Sequence, residues 1–216
     1  MQETTLVIVG IPVLDRLDLT QSIIGLLRKH GGWDQIHVYD NGSLAQTTDW
    51  LEAQQDISWH DCKGWWFYRM WNAAWAECDA IGGQNDLVLL NNDITFGAGF
   101  LQGLVADLRA NPEWGMACPR QGMPGSRCTV MTGFAFAVKA ELEIPRFNEG
   151  YRIYGGDYEF ARTTVDAGYE IGWSKNVKCW HEGSATLKDH PDLLQAGITQ
   201  DEDLWRERWN TEGALL

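Results

Sequence analysis

The chain has 216 residues, 44% of them hydrophobic, which is enough for one large domain with a sizeable core. Its formal net charge of −13 argues against wholesale binding to nucleic acid, which needs clustered Lys and Arg, but is compatible with a local basic patch. No apolar run approaches the ~20 residues that span a bilayer, and no basic segment followed by an apolar one opens the chain, so we expect a cytoplasmic protein without a signal peptide.

Short apolar runs alternate with segments of helical spacing through the first half of the chain. The run at residues 87–90 is too short for a helix and predicts a buried central strand. Pro12 is expected to end the first strand, and Gly31 with Gly32 the first helix. The predicted order is strand 5–11, helix 18–29, strand 35–39, helix 45–54, strand 57–60, helix 68–78, strand 87–90 and a helix at about 100–108.

The second half continues this pattern, which indicates an α/β fold with one mostly parallel, doubly wound sheet flanked by helices. Residues 119–127 (PRQGMPGSR) are rich in Gly and Pro and predict a mobile loop. From Asp189 the chain is polar and acidic and predicts a helical or partly loose tail. The remaining predicted elements are strands 115–119, 134–138, 170–173 and 177–180, and a helix at 158–167 ended by Gly168.

Cysteine and tryptophan usage adds weaker signals. Five cysteines without CxxC spacing predict buried or free thiols in a reducing compartment rather than a disulfide or zinc framework. Twelve tryptophans exceed ordinary usage, and we expect most of them to fill the core. For Trp65 and Trp66 two roles stay open, stacking on a sugar or acceptor and packing beneath a loop.

The central strand at 87–90 runs directly into Asn91, Asn92 and Asp93. In open α/β sheets, ligands bind outside the carboxyl ends of the strands. A carboxylate flanked by amides at that place suits a hard divalent cation and the phosphates that accompany it. The alternative is an Asx-rich turn that closes the strand.

Three more polar segments stand where other predicted strands end. Together with residues 91–93 they are expected to converge on one cleft, since the carboxyl ends of parallel strands share an edge of the sheet. They are residues 12–16 (PVLDR), residues 40–43 (DNGS), and the late pair 155–159 (GGDYE) with 181–184 (HEGS).

The order and spacing of these segments resemble a GT-A glycosyltransferase of the large family-2 type, and most closely its rhamnosyltransferase-like branch. The resemblance covers roughly residues 4–186. It is carried by residues 11–16 (IPVLDR), 38–43 (VYDNGS), Asn72 on the helix before the metal strand, 91–93 (NND), 147–151 (FNEGY), 156–159 (GDYE) and His181.

The resemblance implies a GT-A fold in a single domain at residues 1–188. Its nucleotide-sugar-binding half would be 1–97, its acceptor-binding half 98–188, and residues 189–216 an acidic C-terminal tail. Three positions depart from the family pattern: Gly156 replaces a Glu, Asn91 replaces the first Asp of the metal motif, and Asp15 replaces a common Asn.

The resemblance also implies roles in catalysis. Asp93 would be the main protein ligand of a Mn²⁺ or Mg²⁺ ion and His181 the second, since these ions also take phosphate oxygens and waters. A packed imidazole is the alternative for His181. Asp157 would be the general base that takes the proton from the acceptor hydroxyl in an inverting transfer. Capping the following helix is a compatible role for Asp157.

Five residues are assigned by the resemblance to the nucleotide-diphosphate sugar donor. Asp40 would accept a hydrogen bond from a pyrimidine base, with an Asx turn as the alternative role. Arg16 would pair with phosphate or stand in solvent. The full set is Pro12, Arg16, Asp40, Asn72 and Asn92.

The function that we expect is inverting, metal-dependent transfer of a sugar from a nucleotide-diphosphate sugar to an acceptor hydroxyl. A nucleotidyltransferase is disfavoured, because residues 12–15 lack the Gly-rich, basic phosphate loop of that class. A degenerate, non-catalytic sugar- or partner-binding module is the other alternative. The acceptor stays open between a glycan, a protein, a lipid-linked intermediate and a modified base in DNA.

Overall fold

The computed structural model describes residues 5–82, 84–121, 131–183 and 185–209. Eight strands form one sheet, and the predicted α/β class is confirmed. The strands are β1 (Val7–Val13), β2 (Gln35–Asp40), β3 (Ser58–Asp61), β4 (Asp86–Leu90), β5 (Ile94–Phe96), β6 (Trp114–Gln121), β7 (Ala135–Lys139) and β8 (Glu170–His181).

The strand order across the sheet is β3-β2-β1-β4-β7-β6-β8-β5. Strands β3, β2, β1 and β4 are mutually parallel, as are β6 and β8. Strand β7 runs antiparallel to both of its neighbours, and β5 runs antiparallel to β8. β1 and β4 are parallel neighbours in the middle of the strand order. Their carboxyl ends therefore lie side by side at one end of the strands.

Seven helices accompany the sheet in the described part of the chain. They are α1 (Leu17–His30), α2 (Ala45–Glu52), α3 (Phe67–Ile81), α4 (Phe100–Ala110), α5 (Gly156–Asp166), α6 (Ala185–Lys188) and α7 (Pro191–Trp209). None of these helices combines the length and apolar character needed to cross a bilayer.

Two hydrophobic clusters lie on the two faces of the sheet. Successive residues of β1 alternate between them, since Ile8 belongs to one cluster and Val9 to the other. Helices α1, α2 and α4 contribute to the cluster with Val9, whereas α3 and α5 contribute to the cluster with Ile8. The result is the three-layer arrangement that a doubly wound pattern predicts.

Within the described residues the structure confirms that the cysteines are buried, and the reducing compartment stays a prediction. The four cysteines there are buried, and burial raises the pKa of the Cys62 thiol to about 11 and that of Cys179 to about 12. Cys128 lies outside the described residues.

Several predicted boundaries differ from the structure. Pro12 lies inside β1 rather than at its end. Proline has no N–H to donate, but pairing with β4 ends at Gly10, so no hydrogen bond to β4 is lost at residue 12. The predicted strands 170–173 and 177–180 are one continuous strand, β8, with register irregularities. Residues 119–121 of the predicted mobile loop belong to β6, and residues 122–127 lie outside the described residues.

Residues 191–209 of the expected acidic tail form helix α7, which docks against the domain. Asp201 is fully buried, and Leu204 and Trp205 pack against the hydrophobic cluster that contains Ile8. The helix therefore belongs to the folded unit rather than to a separate loose segment.

Candidate active site

A cleft of about 350 Å³ opens where β1 and β4 end. One side, here called the α3–α5 wall, is formed by the start of α3, residues 152–154 and Asp157. Another side, the β8–α6 wall, is formed by His181 and residues 185–187. The cleft therefore occupies the sheet edge at which open α/β folds bind ligands.

Strands β5 and β8 bring Asp93 and His181 together. Ile94 is the antiparallel partner of His181, and the N–H of Glu182 donates to the carbonyl of Asp93 at 3.0 Å. The Oδ1 atom of Asp93 lies 3.1 Å from Nε2 of His181. Strand pairing thus fixes the distance between two side chains that are far apart in the sequence.

The surroundings of this pair favour an ionised carboxylate. Burial alone would raise the pKa of Asp93, but the facing His181 imidazole and the N–H of Ala185, which donates to Oδ2 at 3.2 Å, outweigh it. The pKa of Asp93 is therefore below its usual value. The Phe134 ring stacks on the imidazole with 4.1 Å between centroids, which holds the plane of the His181 ring.

The donor atoms at this end of the cleft fit a divalent cation. Asn91 Oδ1, Asp93 Oδ1 and His181 Nε2 are buried, and none of them makes a hydrogen bond of acceptable geometry within the described residues. The 3.1 Å separation matches the spacing of about 3.0 Å between neighbouring ligands on a small octahedral ion with bonds of about 2.1 Å. No cluster of three or more His, Cys, Asp or Glu suited to a metal occurs in the described parts of the chain. Such an ion would therefore depend on oxygens from a ligand or water as well.

Asp157 lies in the first turn of α5 and faces the same cleft. Its Oδ1 accepts the N–H of Tyr158 at 3.0 Å and lies 3.4 Å from the hydroxyl oxygen of Tyr68. A Cβ at Gly133 would overlap Oδ2, so the glycine leaves room for this carboxylate. Burial raises the pKa of Asp157. A carboxylate with raised proton affinity in a cleft is suited to accept a proton from a bound ligand.

A glycine at position 156, where the resemblance predicts a Glu, has a local structural reason. A Cβ at this position would lie 2.6 Å from two atoms of the Tyr68 ring. The Tyr68 hydroxyl donates to the carbonyl of Ile153 at 3.0 Å, next to Asp157. An aromatic hydroxyl from α3 therefore occupies the space beside Asp157 that a larger side chain would need.

Two of the five predicted donor-binding residues line the cleft, namely Pro12 and Asn92. Asn92 is buried, and its Nδ2 donates to Oγ1 of Thr20 at 3.4 Å. The predicted contacts of these two residues with a nucleotide stay predictions.

Asp40 is fully buried, and its carboxylate does not line the cleft. One oxygen accepts the N–H of Ser43 at 2.9 Å, and the other accepts the Thr48 hydroxyl at 3.0 Å. These bonds give Asp40 a structural role in the turn after β2, and its predicted contact with a nucleotide base stays a prediction. Its neighbour Asn41 lines the cleft instead.

Arg16 and Asn72 also lie outside the cleft lining. Arg16 pairs with Asp18 at 2.9 Å and donates to the carbonyl of Ala185 at 3.3 Å, so it ties the turn after β1 to α6. The Nδ2 of Asn72 donates to the carbonyl of Phe147 at 2.9 Å and thereby anchors the segment that leads to α5. Both residues support the walls of the cleft, and their predicted contacts with the donor stay untested.

Sequence reasoning missed several residues of the cleft, among them Tyr68, Phe134 and Arg152. None of the motifs that carry the resemblance includes them, and an aromatic residue at the start of a helix is usually predicted to pack in the core. Of the two adjacent tryptophans, Trp66 lines the cleft and Trp65 packs against the core. Only the three-dimensional arrangement separates the two roles.

Helix α7 holds the α3–α5 wall in place. The carboxylate of Asp201 accepts the backbone N–H groups of residues 152, 153 and 154 at 2.6, 2.8 and 2.8 Å. One turn earlier, a Cβ at Gly197 would overlap Cδ1 of Ile153, so the glycine permits close approach of helix and loop. The loop that carries part of the cleft lining is therefore fixed by a helix from the end of the chain.

Comparison with known proteins gives matches in structure only. No protein-family model matches the sequence, and no curated protein is significantly similar to it. A mannosyltransferase from Pyrobaculum calidifontis, in complex with GDP-Man and Mn²⁺, matches with a TM-score of 0.69 and 16% identity over 99% of this chain and 66% of that chain.

Two further solved structures give the same result. Glucosyl-3-phosphoglycerate synthase from Mycobacterium tuberculosis, with Mn²⁺, uridine diphosphate and phosphoglyceric acid, has a TM-score of 0.64 and 16% identity over 91% of this chain and 77% of that one. GalNAc-T7 with UDP, GalNAc and Mn²⁺ has a TM-score of 0.67 and 12% identity over 96% of this chain and 52% of that one. The chain thus spans about half the length of GalNAc-T7. At these identities the likeness is one of fold, and the fold of this chain is the GT-A glycosyltransferase fold.

Proposed function

We propose that the protein is a metal-dependent glycosyltransferase that moves a sugar from a nucleotide-diphosphate sugar to an acceptor hydroxyl, with inversion at the sugar carbon. The observation that carries this proposal is the single cleft shared by the Asp93–His181 pair and Asp157. The GT-A fold supports it, as does the presence of Mn²⁺ and a nucleotide or nucleotide sugar in the complexes of three proteins with that fold.

Asp93 and His181 would hold a Mn²⁺ or Mg²⁺ ion, and the Asn91 carbonyl oxygen is a further oxygen donor beside them. When bound, the ion supplies Lewis-acid stabilisation of the negative charge that gathers on the leaving diphosphate. The protein's own part is to hold these donor atoms at a fixed spacing through the β5–β8 pairing. The Phe134 ring restricts rotation of the imidazole.

Asp157 would take the proton from the attacking hydroxyl. Burial raises its pKa, which makes its carboxylate a stronger base than an exposed one. The N–H of Tyr158, which donates to Oδ1 at 3.0 Å, keeps the carboxylate oriented. We assign donor binding mainly to residues 1–97, to which the second half adds His181 as a metal ligand. We assign acceptor binding mainly to residues 98–188 with α7, to which the first half adds Trp66 and Tyr68 of the α3–α5 wall.

Donor identity is tested by thermal denaturation with a panel of UDP-, GDP- and dTDP-sugars, with and without Mn²⁺. A ligand at ~100 times its Kd stabilises the folded state by about 2.7 kcal/mol. We expect one class of donor to stabilise the parent protein only when Mn²⁺ is present. Asp93→Ala should lose that metal-dependent stabilisation, because it removes the carboxylate of the metal pair.

Catalysis is tested by sugar transfer or donor hydrolysis with the donor found in that screen. Asp157→Asn should keep donor binding and lose activity by about 10²–10⁴-fold, the usual value of general base catalysis. The matched control is Asp166→Asn, which changes an exposed carboxylate at the other end of the same helix. Equal activity of Asp157→Asn and Asp166→Asn would remove Asp157 from the catalytic role. Absence of any metal-dependent donor binding or hydrolysis by the parent protein would refute the proposed function itself.

A further inference from the structure

We propose that Arg152 forms an anion subsite on the α3–α5 wall, so that the acceptor carries a phosphate or carboxylate group close to the hydroxyl that reacts. The inference rests on the proposed function, because it names the chemical class of the acceptor. It adds a binding residue that neither the family motifs nor the metal pair includes.

Arg152 lies in the cleft with an incompletely satisfied guanidinium. The guanidinium carbon is 4.6 Å from the centre of the Trp66 ring, which holds it by a cation–π contact. Its Nε is buried and has no hydrogen-bond partner among the described residues. No carboxylate of the described chain pairs with Arg152, whereas Arg16, Arg28 and Arg109 all form ion pairs.

This lack of a partner runs against the composition of the chain. Asp and Glu number 30 and Lys and Arg 17, so carboxylates are plentiful, and seven of the ten arginines within the described residues form an ion pair. A buried guanidinium N–H that stays unpaired is costly, and a planar fork of N–H donors matches a phosphate or carboxylate. An anionic group on a ligand is therefore the partner that Arg152 fits.

The position of Arg152 assigns that anion to the acceptor. Trp66, under the guanidinium, precedes Tyr68, whose hydroxyl touches both the carbonyl of Ile153 and the carboxylate of Asp157. The guanidinium and the proposed base thus belong to one wall. Asp93 and His181, which would hold the donor diphosphate through the metal, lie by contrast next to Ala185 on the β8–α6 wall.

The loop that carries Arg152 is fixed rather than free. The backbone N–H of Arg152 donates to the buried carboxylate of Asp201 at 2.6 Å, and the next two backbone N–H groups donate to the same carboxylate. The negative charge of Asp201 is thereby engaged by the backbone and is not an ion-pair partner for the guanidinium. An anion bound at Arg152 therefore occupies a defined place relative to Asp157.

Phosphate also occurs in the donor, so the test separates the two sources. In the first arm, inorganic phosphate is titrated into the full chain without added metal, and binding is followed by calorimetry for the parent, Arg152→Gln and Arg69→Gln. Arg69 is the matched control, because its guanidinium lies 4.1 Å over the adjacent Trp65 but outside the cleft lining. We expect Arg152→Gln to weaken phosphate binding by about tenfold or more and Arg69→Gln to leave it unchanged.

In the second arm, the nucleoside diphosphate of the preferred donor is titrated in the presence of Mn²⁺. We expect its Kd to be the same for the parent and Arg152→Gln. An equal loss of nucleotide and phosphate affinity in Arg152→Gln would mean that Arg152 serves the donor, and would overturn the acceptor assignment. Absence of phosphate binding by the parent, or equal phosphate binding by both variants, would overturn the subsite. Failure of the proposed function gives a different result, namely no Mn²⁺-dependent nucleotide binding by the parent.

Discussion

Replacement of Asp201 by asparagine tests how α7 supports the cleft. The parent carboxylate is fully buried and accepts three consecutive backbone N–H groups at 2.6 to 2.8 Å. An asparagine is almost the same size, but it has one acceptor oxygen and an NH₂ group that can only donate. At least one of the three N–H groups then faces a donor and loses its partner.

The size of the effect follows from these contacts. Hydrogen bonds to a charged group contribute about 1.5–3 kcal/mol each, and a buried N–H without a partner adds a desolvation cost. Loss of one bond and weakening of the other two should lower the free energy of unfolding by about 2–4 kcal/mol. That is a large part of the roughly 5–15 kcal/mol typical of a folded domain.

The assay is urea denaturation followed by circular dichroism, with Asp203→Asn as the control. Asp203 is on the same helix, but its side chain is 73% exposed and pairs only loosely with Arg206 at 3.5 Å. The control should stay within about 0.5 kcal/mol of the parent. If the two variants were equally stable, the carboxylate would not be what holds residues 152–154.

Two further predictions concern pH and packing. Because burial raises the pKa of Asp157, the acid limb of the pH–rate profile should lie above the range of an ordinary carboxyl, and the residual activity of Asp157→Asn should lack that limb. The free energy of unfolding should depend on pH in the opposite direction. The stabilising contribution of Asp157 is fully present below its unfolded-state pKa and is lost as pH rises through its folded-state pKa. Urea denaturation of the parent and Asp157→Asn at several pH values would detect this loss. Gly10→Ala should lower the free energy of unfolding by about 1–3 kcal/mol, since its Cβ would lie 2.6 Å from Cβ of Ala74 and 3.0 Å from Cδ2 of Leu89; an unchanged urea midpoint would contradict this packing.

The alternation of apolar runs and helical spacing was sufficient to predict the layers of the fold. The run at residues 87–90 is the buried centre of β4, and the predicted helix 68–78 lies within α3, where Trp71, Ala74, Trp75 and Cys78 are buried at helical spacing. Strand β5 escaped prediction, because three residues carry too little periodicity and its pairing partner lies far along the chain. Docking of α7 was missed for a similar reason, since a polar helix buries Asp201 only where the 152–154 backbone offers it donors.

The candidate site was predicted in part. Motif order identified Asp93, Asp157 and His181, and the structure places them in one cleft. Spacing alone could not show that the Asp40 carboxylate accepts hydrogen bonds from Ser43 and Thr48, because these are common polar residues with many possible roles. Positions such as these depend on which backbone groups the fold leaves unpaired, and that information is not local in the chain.

The two sides of the cleft are secured by different kinds of structure. The spacing of Asp93 and His181 is set by a β-ladder, where a slip of one residue would turn a side chain to the opposite face, so it tolerates little variation. The wall with Arg152 depends on one carboxylate from a helix near the end of the chain. Under the proposed function, substitutions in that helix and loop would change acceptor selectivity while the spacing of the Asp93–His181 pair stays the same.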